Sequence, residues 1–142
     1  MTKKAYILDS TLRDGAQGEG ISFSIVDKIN IVKALDRLGI SFIEAGNPGS
    51  NPKDIEFFKR VRDVKLENSV LVAFGSTRRK NIRPEEDIML ASLLSTETST
   101  VVIFGKSWDL HVTDVLGTTL DENLLMIEDT VSYLRRNGRE VI

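Results

Sequence analysis

Between positions 9 and 20 the chain reads Asp9-Ser10-Thr11-Leu12-Arg13-Asp14-Gly15-Ala16-Gln17-Gly18-Glu19-Gly20, directly after the apolar run Ala5-Tyr6-Ile7-Leu8. An adjacent Arg13 and Asp14 at the end of a buried strand is costly unless each charge is paired or coordinated, because neither tolerates burial alone. A carboxylate there can hold a hard divalent cation, and a neighbouring guanidinium can clamp a carboxylate or a carbonyl oxygen through two parallel hydrogen bonds. A structural ion pair at a strand end fits the same two residues. Glu44 is a second acid in an apolar setting, Phe42-Ile43-Glu44-Ala45, where a lone charge is expensive, so a site role is preferred to a structural pair. His111, the sole histidine, falls in a polar stretch and can either approach a substrate or sit solvated in a loop.

Three further groups have competing readings. Arg78-Arg79-Lys80 can attract phosphates, but a three-residue charge run more often marks a solvated surface. Trp108 can wall a pocket or pack beneath a loop. Gly15, Gly18 and Gly20 do not match a phosphate-binding fingerprint that opens a helix, and read as backbone freedom beside a charged site.

The elements that must position these residues alternate strand and helix. Strands are expected at 5–9, 42–45, 70–74 and 101–104. One helix runs from a Ser24 cap to Gly39, with Ile25, Ile29, Val32, Leu35 and Leu38 on its inner face. A second spans Lys53 to Lys65, with Ile55, Phe58, Val61 and Val64 inward. A third starts at Pro84 as its first residue and buries Ile88, Leu90, Leu93 and Leu94. A fourth spans Asp121 to Asn137, with Leu124, Leu125, Ile127, Val131 and Leu134 inward, after a longer polar loop from Lys106 to Thr119. Val141-Ile142 reads as a fifth strand at its start. These are βα units of about thirty residues. A doubly wound sheet closes within about 140 residues and an eight-stranded barrel needs about 250, so length favours the open sheet. A chain that stops two residues into a strand favours the first half of a barrel.

Composition sets the class. The net charge of −2 offers nothing to a nucleic acid or a membrane surface, and the absence of cysteine removes disulfides, thiolate metal sites and cysteine nucleophiles. Met1-Thr2-Lys3-Lys4 precedes only four apolar residues, which is neither a signal peptide nor a membrane span, and a cytoplasmic location is expected.

The run from Asp9 to Gly15 followed by Gln17 resembles the first-strand signature of the family that contains isopropylmalate, homocitrate and citramalate synthases and hydroxymethylglutaryl-CoA lyase. The resemblance continues through Phe42-Ile43-Glu44-Ala45-Gly46. In Ala73-Phe74-Gly75-Ser76-Thr77-Arg78-Arg79 and in Phe104-Gly105-Lys106-Ser107-Trp108-Asp109-Leu110-His111-Val112 it is strongest toward the citramalate branch. It implies a (β/α)8 barrel, of which residues 1–142 form the N-terminal part of the catalytic domain. It also implies that Asp14 ligates a divalent metal (Mn²⁺, Mg²⁺ or Zn²⁺), that Arg13 polarises the keto oxygen or enolate, and that Gln17, Glu44 and His111 meet the substrate. The family's late His-x-His ligand pair has no match here.

The implied activity is an acyltransferase: a Claisen-type condensation of acetyl-CoA with a 2-keto acid such as pyruvate, in branched-chain amino-acid biosynthesis, by a homodimer. A lyase running the reverse type of reaction and a non-catalytic half-barrel module are the alternatives.

Overall fold

The structure is a computed structural model that describes residues 5–142; the Met1–Lys4 segment, read above as free of a targeting signal, lies outside the described residues. Five strands, β1 (Leu8–Asp9), β2 (Phe42–Glu44), β3 (Val70–Ser76), β4 (Thr100–Phe104) and β5 (Glu140–Val141), form one sheet in the order β1-β2-β3-β4-β5, every pair parallel. Sequential order without a switch point is the topology of an opened barrel and excludes a doubly wound sheet. Four helices, α1 (Ile25–Leu38), α2 (Pro52–Val61), α3 (Ile88–Ser95) and α4 (Leu120–Arg136), make the crossovers. Among the described residues no helix is long and apolar enough to cross a membrane.

The expected buried first strand is corrected. Only Leu8 and Asp9 pair with β2, and Tyr6 and Ile7 are 62% and 59% exposed. Among the described residues β1 is a sheet edge, with β2 as its neighbour on one side. The third strand runs past Gly75, which lacks a side chain because an added Cβ would lie 2.6 Å from Leu93 of α3. The core between sheet and helices holds Leu12, Val32, Ile43, Phe57, Phe58, Ala73, Leu90, Leu93, Val101 and Leu134.

Capping explains where the helices begin. Ser24 accepts from the Asp27 amide and Asp27 accepts from the Ser24 amide, a reciprocal box, and Gly39 ends α1 at φ +83°. The start expected at Pro84 is corrected: Pro84–Glu86 form a 3₁₀ turn, and α3 begins after Asp87, whose carboxylate accepts from the Met89 and Leu90 amides. The inner face of α4 is also corrected, since Asn123, Met126, Thr130 and Leu134 are buried while Leu124 and Leu125 are 64% and 49% exposed. The buried stripe follows a spacing of three and four through two polar residues, which a reading by hydrophobicity passes over. For the same reason α1 turns Lys28, Val32 and Asp36 inward and leaves Leu38 exposed.

Asp36 closes the connection to β3. Its carboxylate accepts from the Glu67, Asn68 and Ser69 amides at 2.8 to 3.1 Å. Those amides, Asn68 and Glu67 foremost, hold its pKa below the ordinary carboxylate value. A group depressed on folding stabilises the fold above its unfolded pKa of about 3.9, and that contribution fades as pH falls through the lower folded value. Denaturant unfolding between pH 7 and pH 3 is therefore expected to lose stability on the acid side, and Asp36→Asn to be less stable at pH 7 with a shallower acid slope. Parallel pH profiles for wild type and variant would count against the role.

Candidate functional site

The carboxyl ends of β1, β2 and β3 bring three expected features together. Arg13 follows β1 in a tight turn in which the amides of Arg13, Asp14 and Gly15 all donate to the Ser10 carbonyl. Its Nε donates to Glu44 Oε1 at 2.5 Å, its Nη1 to Asp14 Oδ1 at 3.0 Å, and the guanidinium carbon sits 4.0 Å from the centre of the Phe74 ring. Glu44 is 2% exposed and Arg13 partly so, which makes Glu44 the buried partner of an ion pair whose cation faces outward. Flanked by two carboxylates and backed by an aromatic face, the guanidinium is fixed in orientation, and among the described residues its Nη2 has no hydrogen-bond partner.

Asp14 stands outermost, 64% exposed, with Oδ1 on Arg13 and Oδ2 without a partner among the described residues. A free, hard oxygen suits a divalent cation. Among the described residues no three His, Cys, Asp or Glu side chains cluster as a metal site, so Asp14 fits as one ligand and not as a centre. Gln17 ends the short turn Gly15–Gln17 and lines, with Arg13, Lys28, Asn47 and Asp54, a cavity of about 250 Å³.

His111 lies apart in contact terms: no hydrogen bond or ion pair joins it to Arg13, Asp14, Gln17 or Glu44, and its ring packs 4.6 Å from that of Trp108. The stretch expected as loop contains a turn of π-helix over His111–Val115, closed by the Leu116 amide on the His111 carbonyl, with Val112 buried beneath. Trp108 is 55% exposed, so packing beneath the loop is not its role.

The solvated reading of Arg78-Arg79-Lys80 holds for Lys80, holds only in part for Arg79, which is exposed but pairs with buried Asp87 at 3.3 Å, and fails for Arg78, which is 5% exposed and bonded to Glu122 and Asp129 of α4. Burial would push its pKa down, but the two carboxylates outweigh burial and raise it. A cavity of about 450 Å³ opens beside this segment over the ends of β3 and β4, with apolar Ile82, Phe104 and Met126 and the cations Arg79, Lys80 and Lys106 in its lining. Neither this cavity nor Phe74 as the platform under Arg13 was legible in the sequence, because both depend on which strand ends become neighbours.

A parallel sheet in sequential order, with an acid and a clamped guanidinium at the carboxyl ends of its first strands, is the arrangement of the opening half of a barrel of βα units. Residues 4–142 match the HMGL-like family, and the chain belongs to that family. It is 56% identical to (R)-citramalate synthase of Aquifex aeolicus over 142 residues, all of this chain and 27% of that protein. It is 56% identical to (R)-citramalate synthase of Synechocystis over 143 residues, covering 99% of this chain and 26% of that protein. Homocitrate synthase of Saccharolobus solfataricus is 37% identical over 138 residues, 97% of this chain and 29% of that protein. The chain thus spans about a quarter of the length of the curated relatives it matches. In fold it is similar to the hydroxymethylglutaryl-CoA lyase of Bacillus subtilis, with a TM-score of 0.73 at 19% identity over 99% of this chain and 45% of that one.

Proposed function

We propose that residues 1–142 are the N-terminal part of the (β/α)8 catalytic domain of a longer chain, a 2-alkylmalate synthase that condenses acetyl-CoA with pyruvate to give citramalate. The observation that carries this is Arg13, immobilised by Glu44, Asp14 and Phe74 with one donor edge left over. The higher identity to citramalate synthases than to homocitrate synthase supports pyruvate as the keto acid.

In the reaction the methyl carbon of acetyl-CoA loses a proton and attacks the keto carbon of pyruvate, and hydrolysis of the thioester then releases CoA. The keto oxygen gains negative charge as the bond forms, and a guanidinium already oriented toward it stabilises that charge without reorganising. A divalent metal, held by Asp14 together with groups supplied outside residues 1–142, would polarise the same oxygen. Gln17 and His111 are proposed to contact substrate from the β1 and β4 ends, with Glu44 acting through Arg13. The larger cavity, apolar with cations in its lining, suits the pantetheine arm and phosphates of CoA. The chemistry belongs to branched-chain amino-acid biosynthesis, in the cytoplasm and in a homodimer.

The test is CoA release by the longer chain. Turnover should require pyruvate together with acetyl-CoA and a divalent metal, and 3-hydroxy-3-methylglutaryl-CoA should not be cleaved. Asp14→Ala should weaken metal activation and abolish turnover at metal concentrations that saturate wild type. Cleavage of the hydroxyacyl thioester, or full activity of Asp14→Ala, would replace this reading with the lyase or with another ligand.

A further inference from the structure

Behind the site, α1 and α2 bury an ion pair that the reaction itself does not use. Lys28 Nζ donates to Asp54 Oδ1 at 2.6 Å, and both side chains are 8% exposed. Asp54 Oδ2 accepts from the Asn47 amide at 2.9 Å, so one carboxylate joins helix α1 to the turn that leaves β2. Gly46 packs flat against this carboxylate, where an added Cβ would lie 2.5 Å from Asp54. The Gly46 carbonyl in turn accepts from the Phe74 amide at 3.0 Å, and the Phe74 ring carries Arg13. Glu44, the partner of Arg13, lies two residues before Gly46. Arg13, Gln17, Lys28, Asn47 and Asp54 also line one cavity.

We propose that Lys28 and Asp54 are positioning residues that lock the Gly46–Asn47 turn and thereby fix Glu44 and Phe74 around the Arg13 guanidinium. Burial of two charges is poor value for stability alone, since such pairs can often be replaced by uncharged side chains of similar size without loss of the fold. The pair instead sets where a backbone segment runs, and small displacements at a reacting centre are expensive in rate. The role rests on the reading of Arg13 as the cation that meets substrate.

The experiment uses the longer chain with Lys28→Met/Asp54→Asn, which keeps both volumes and removes both charges. Gly46→Ala is the second variant; it keeps the pair and wedges the turn away from Asp54. Lys28→Arg is the conservative control. Each is measured for thermal midpoint, for kcat and KM, and for the rate at which phenylglyoxal labels Arg13, read by peptide mass. Lys28→Met/Asp54→Asn and Gly46→Ala are expected to lower kcat about tenfold to a hundredfold with KM for acetyl-CoA unchanged. Both should label Arg13 faster, while Lys28→Arg stays close to wild type in both readouts. Wild-type kcat and labelling in a folded Lys28→Met/Asp54→Asn or in Gly46→Ala would overturn the role, as would a loss in Lys28→Arg as large as in the double variant. The labelling rate reports on the pair even if the longer chain proves to act on a different substrate, so failure of the positioning role is distinguishable from failure of the proposed function.

Discussion

In the longer chain, Arg13→Lys is expected to cut turnover by about 10² to 10³ while the protein stays folded, the loss that follows removal of one preorganised donor from a developing oxyanion. Lysine keeps the charge, so a purely Coulombic role would leave most of the rate. The geometry assigns more than charge. Nε is committed to Glu44, Nη1 to Asp14 and the planar face to Phe74, so three contacts fix the plane of the guanidinium. An ammonium on a flexible stem has no plane to stack and no fork to divide between two carboxylates and a substrate oxygen. It can pair with buried Glu44 or face the substrate, and pairing with Glu44 relieves the more costly burial. Steady-state CoA release with pyruvate and acetyl-CoA measures the effect, with the thermal midpoint as the folding control. A variant within a few-fold of wild type would place the chemistry on another residue.

The parts of this arrangement legible in the sequence are those whose signal is local. Arg13 beside Asp14 after an apolar run, and Glu44 inside one, are anomalies of charge that a single chain displays without its fold. The strand order was legible for a related reason: four βα repeats without a change of pattern leave sequential parallel neighbours as the economical topology. Ser24 and Gly39 mark α1 through caps that act over three or four residues.

What stayed hidden depends on partners far away in sequence. Lys28 and Asp54 look like ordinary surface charges in amphipathic helices until α1 and α2 are packed together. Arg78 reads as one member of a basic run until α4 supplies Glu122 and Asp129. Leu124 and Leu125 are interior by hydrophobicity alone, whereas Asn123 and Thr130 occupy the interior in the structure, Asn123 Nδ2 donating to the Lys106 carbonyl and Thr130 Oγ1 to that of Met126. At Pro84 two valid start signals competed. Asp87 caps α3 because its second oxygen also receives the Arg79 amide, a contact no local rule anticipates.

Residues 1–142 expressed alone are expected to release no CoA above background, whereas the longer chain turns over and loses that turnover on chelation. Ligand counting gives the reason. Asp14 contributes one oxygen, Glu44 is occupied by Arg13, and no three-group cluster exists among the described residues. A catalytic divalent ion ordinarily takes about three protein ligands, and metal affinity falls steeply when the set is incomplete. Packing gives a second reason. Among the described residues β1 and β5 are sheet edges, each with one neighbour, so the carboxyl ends of the strands form an open arc instead of a closed ring. Water then reaches Arg13 from the open side, and a guanidinium in high dielectric stabilises an oxyanion far less than one in a closed site. CoA release from the isolated segment, from the longer chain, and from the longer chain treated with chelator and then resupplied with Mn²⁺ or Mg²⁺ separates the two reasons. Activity of the segment alone would mean that Arg13, Asp14 and Glu44 suffice for the chemistry, and recovery failing on metal return would mean that Asp14 holds something other than a divalent ion.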